Sequence, residues 1–144
     1  IIQYNEGFKK CNKILNKNST DFDLTDAYVN VFVDALKRGF SKVLVFEDDF
    51  IYEDFTKHDI NSICRFLKNS NWDVYNLGAY SCVDNSLLNS FRKDLKHINC
   101  DYSNSAHAVI YTQNYIIDFV RYGLEGKIKE CDFFWNGQFH VQGH

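Results

Sequence analysis

The 144-residue sequence contains no proline and no methionine, not even at position 1. Proline is the usual mark of a domain boundary, and neither an internal repeat nor a low-complexity linker takes its place here. Residues 1–144 are therefore read as a single domain, and the missing initiator methionine makes that domain, by expectation, a fragment of a longer chain. Long apolar runs are lacking too. None approaches the roughly eighteen residues that a membrane-spanning helix needs, and the opening "IIQYNEGFKKCNK" has no extended apolar segment like that of a signal peptide. No membrane span is expected. The cytoplasm is the expected location, with a secretory lumen as the alternative if an upstream segment directs the chain there.

Basic charge is not in excess. The formal charge is -3, from 16 Lys and Arg against 19 Asp and Glu, and the lysines are scattered among acids rather than gathered into a stripe. Nucleic acid is thus not an expected partner. The five cysteines, Cys11, Cys64, Cys82, Cys100 and Cys131, are odd in number, widely spaced and without a Cys-x-x-Cys pair. Neither a disulfide framework nor a zinc site is expected from them. Asn18-Ser19-Thr20 matches the N-glycosylation acceptor pattern, which arises easily by chance in an asparagine-rich chain.

Apolar side chains are abundant: 45% of residues are hydrophobic and 17% aromatic, which at this length supports a real core and argues against disorder. Their spacing alternates between two periods. Leu24, Ala27, Tyr28, Val31, Ala35 and Leu36 recur at helical spacing, with Asp23 or Thr25 as candidate caps and Gly39 as the stop. Lys42–Phe46 follows as a strand whose unbroken "VLVF" suits burial on both faces, as in a parallel sheet covered by helices. A second helix is expected from about Asp59 through Ile60, Ile63, Phe66 and Leu67. "WDVYNLG" (72–78) and "AHAVIYT" (106–112) read as further strands, and "QNYIIDFVRYG" (113–123) as a helix that Gly123 stops. Strands alternating with helices imply an α/β fold, in which ligands bind beyond the carboxyl ends of the strands.

Glu47, Asp48 and Asp49 stand at such an end. Acids there can be no more than the solvated end of a strand, or they can hold a cation. A response-regulator receiver domain also ends a buried strand in paired acids. In that fold, however, the pair lies near the domain start and a phospho-accepting aspartate ends a later strand. Here a whole helix precedes the acids, and "WDVYNL" offers Asn76 where that aspartate would stand.

Three segments together resemble glycosyltransferase family 25, which includes bacterial lipopolysaccharide glycosyltransferases and procollagen galactosyltransferases. "ALKRGFSK" leading into "VLVFEDDF" is similar to the family's segment around its Glu-Asp-Asp motif. "NWDVYNLGAY" resembles the strand after the intervening helix, and "DYSNSAHAVIYTQNYIIDFV" the small-residue strand and the helix beyond it. "KECDFFWN" then supplies an aspartate, Asp132, where the family tends to have one. The likeness runs over roughly residues 23 to 136, and its first segment is the specific one.

The resemblance implies a GT-A-like fold, Rossmann-like, with a mixed and mostly parallel sheet flanked by helices, its N-terminal strand expected to be missing from this chain. It also implies a nucleotide-sugar donor such as a UDP-sugar, a glycan or glycosylated-protein acceptor, and a divalent cation, usually Mn2+. By the same resemblance Asp49 is the direct metal ligand, Glu47 and Asp48 meet the donor's ribose or the cation's waters, and Asp132 is the catalytic base. His140 and His144 are candidate late metal ligands, with ordinary surface histidines as the plainer reading. Asp132 reads equally as a helix cap, Asp101 as a turn residue, and Phe134 and Trp135 as core. The chain departs from the family where Asp23-Leu24 and Ala27-Tyr28 stand in place of a Gly-Cys and a Ser-His pair, and "IIQYNEGFKKCNKILNKNST" resembles none of its opening strand and loop. A non-catalytic carbohydrate- or partner-binding module on a degenerate version of the fold is the alternative of a different class.

Overall fold

A computed structural model describes residues 20–51, 56–77, 98–99, 107–128 and 141–143. These residues form an α/β protein with helices α1 (Thr20–Lys37), α2 (Lys57–Asn69) and α3 (Gln113–Leu124). The strands are β1 (Lys42–Phe46), β2 (Val74–Asn76), β3 (Ile98–Asn99), β4 (Ala108–Thr112) and β5 (Val141–Gly143). The chain falls into two compact units, one of residues 1–43 and 112–134 and one of residues 44–111 and 135–144.

In the first unit α1 packs on α3 through aromatic rings that the helical period turns to one side. Phe32 meets Phe119 edge-to-face at 5.1 Å and Tyr115 at 6.3 Å, while Tyr28 lies 6.1 Å from Phe119. All four rings are buried. Edge-to-face pairs set the quadrupole of one ring against the other and contribute about 0.5–1.5 kcal/mol each beyond the area they bury. The helix starts earlier than its apolar spacing implies. Asp23 and Thr25, expected as caps, lie inside α1 and are buried, as is Asp26.

Gly39 does stop α1. Its φ is +73°, its N–H donates to the Leu36 carbonyl (3.0 Å), and the Phe40 N–H donates to the Ala35 carbonyl (3.1 Å). That pair of bonds is the Schellman closure, which needs a left-handed residue and so favours glycine. The same closure ends α3, but at Gly126 (φ +67°) rather than at the expected Gly123, with Gly126 N–H donating to Gly123 and Lys127 N–H to Tyr122. Gly123 sits in the helix for another reason. A Cβ there would lie 2.6 Å from Cγ2 of the fully buried Val29, so its missing side chain is what lets α3 approach α1.

The second unit holds most of a sheet with strand order β1-β4-β2-β5-β3. β2 pairs antiparallel with β4 (Tyr75 opposite Ile110) and parallel with β5 (Tyr75 opposite Gln142), and β5 pairs antiparallel with β3. The α/β class is as expected, whereas the mostly parallel sheet is not what these strands form. Apolar patterning reports which residues are buried and is silent on strand direction, and short β2, buried at all three positions, satisfies the same pattern in a mixed sheet. β1 differs more sharply from expectation. Among the described strands it lies at the sheet edge, and it alternates in exposure, with Leu44 and Phe46 open to solvent, so its apolar run is not covered on both faces.

α2 is set by a capping box. Thr56 Oγ1 accepts from the Asp59 N–H (3.3 Å), and the Asp59 carboxylate accepts from the Thr56 N–H (2.6 Å). Its apolar side brings Ile63, Phe66 and Leu67 onto Trp72 and Tyr75, and the Trp72 indole N–H donates to the Leu67 carbonyl at 3.0 Å. Among the described residues no helix is long and apolar enough to cross a membrane.

Candidate metal centre

The site begins where β1 ends. Glu47 N–H donates to the His107 carbonyl (2.9 Å), joining the end of β1 to the residue that precedes β4. Phe50 N–H then donates to the Glu47 carbonyl (3.2 Å), closing a tight turn over Asp48 and Asp49. The turn folds the chain back so that Asp49 stands beside Glu47 instead of pointing away along the strand. Both carboxylates converge on one ring. His107 Nδ1 lies 2.8 Å from Asp49 Oδ1 and 3.3 Å from Glu47 Oε2.

The ligand atoms of Glu47, Asp49 and His107 all fall within 4.8 Å of one another. Two adjacent ligands at about 2.1 Å from an octahedral cation are separated by about 3.0 Å, and the two His107 spacings of 2.8 and 3.3 Å bracket that edge. The two carboxylate oxygens suit Mn2+ as they suit Mg2+ and Ca2+, whereas an imidazole nitrogen is a more usual ligand of Zn2+, Fe2+ or Ni2+. The carboxylates are compatible with the cation that the family resemblance implies, and the imidazole does not single that cation out. Glu47 is the more enclosed carboxylate and Asp49, with 63% of its side chain exposed, the more open one.

Of the residues singled out in the sequence, Asp49 and Glu47 are brought together. Asp48 is exposed in the turn and is not part of the group. His140, His144 and Asp132 lie outside the described residues, as do Asp101, Phe134 and Trp135. His107 was the residue missed. It stands inside "AHAVIYT", where an apolar strand absorbs attention, and 58 residues separate it from Asp49. Its one sequence signal was position: a ligating side chain directly before a strand that can pair beside the acidic one. No family model, no curated protein and no solved structure matches this chain.

Proposed function

We propose that the protein is a metal-dependent glycosyltransferase of the family 25 kind, on a GT-A-like fold, moving a hexose, galactose or glucose, from a UDP-sugar to a glycan or protein hydroxyl with inversion. The observation that carries this reading is the meeting of Glu47, Asp49 and His107 at the end of an apolar strand, within reach of a single cation. Bound there, Mn2+ would offset the negative charge that accumulates on a departing diphosphate.

The chain's own residues divide the remaining work. Asp49, Glu47 and His107 would hold the cation, and the exposed Asp48 remains available to the donor's ribose. Asp132, by the family resemblance alone, would take the proton from the acceptor hydroxyl as that oxygen attacks the anomeric carbon and the bond to the diphosphate breaks. Three neighbouring carboxylates repel one another and repel a diphosphate, so cation and nucleotide should bind with positive coupling.

Thermal unfolding tests the shared site. Mn2+ and UDP together should raise Tm by more than the sum of their separate shifts, since independent ligands would only add and positive coupling supplies the excess. Asp49→Ala should abolish the joint shift. If that variant retains it, the acids are only the solvated end of a strand. A screen of UDP-sugar hydrolysis with and without Mn2+ then separates an enzyme from a binding module, which would show the shift without turnover.

A further inference from the structure

We draw no further inference here: the strongest candidate, the exposed apolar face of β1 formed by Leu44 and Phe46 with Phe50 packed on the Phe46 ring, carries nothing because nothing in the structure shows what covers it.

Discussion

On the proposed function, a cation would need the lone pair of His107 Nδ1 that a proton otherwise occupies. In the tautomer with a proton on Nδ1, the nitrogen donates to Asp49 Oδ1 across 2.8 Å; in the other it could serve as a ligand. Under the proposed function the ring therefore organises the metal-free site and enters the metal-bound one. On that reading its nitrogen would favour first-row transition metals over Mg2+ and Ca2+, which take oxygen ligands. His107→Asp, which replaces that nitrogen with a carboxylate oxygen, should weaken Mn2+ relative to Mg2+ and Ca2+, read by calorimetric titration with each ion. His107→Ala should lower Mn2+ affinity by more than the roughly 10–100-fold that loss of an outer-shell partner costs, because it removes a direct ligand. Asp48→Asn is the internal comparison: Mn2+ affinity should hold while UDP affinity falls. Unchanged ion preference in His107→Asp would remove the imidazole from the ligand set.

Element by element, the sequence was most readable where one period dominates a long stretch and least readable where a residue serves a distant neighbour. The apolar spacing of α1 and α3 and the Gly39 stop were legible because they are local, as was the α2 helix. Gly123 was misread for the opposite reason. A glycine near a helix end looks like a stop, and only the proximity of Val29, far away in sequence, reveals a packing role. The His107 contact escaped likewise, being made by strand neighbours, and the exposed face of β1 depends on what covers the sheet. Gly123→Ala tests that packing role. Gly123 lies within α3 with no positive φ, so helix propensity alone would make alanine stabilising by about 1 kcal/mol. The added Cβ instead meets a β-branched side chain with little rotamer freedom, and overpacking of this kind costs about 1–3 kcal/mol. Net destabilisation of about 1 kcal/mol is expected in urea unfolding. In a Val29→Ala background Cγ2 is gone, and the same substitution should become neutral or stabilising. Absence of that sign change would show that the α1–α3 approach does not depend on Gly123.

For the whole molecule, charge frames the proposed reaction. In a chain of formal charge -3, the acids at the candidate site repel a nucleoside diphosphate unless a cation lies between them. Donor binding should therefore depend on the cation, whereas the acceptor, a neutral hydroxyl, should not need it. That separation isolates Asp132, assigned by family resemblance to the acceptor side. A general base must reach the attacking hydroxyl without touching the nucleotide, and Asp132→Asn keeps the shape of the side chain while removing its basicity. Transfer should fall by roughly 10²–10⁴-fold, the usual contribution of a positioned base, with UDP-sugar affinity and Mn2+ affinity unchanged. Hydrolysis of the donor by water relies less on that base when the acceptor is absent, so it should fall less than transfer. Measuring transfer, hydrolysis and donor binding on the same purified variant decides the assignment. Undiminished transfer removes the role of base, and loss of donor binding together with a lower Tm makes Asp132 a helix cap whose carboxylate serves the fold rather than the reaction.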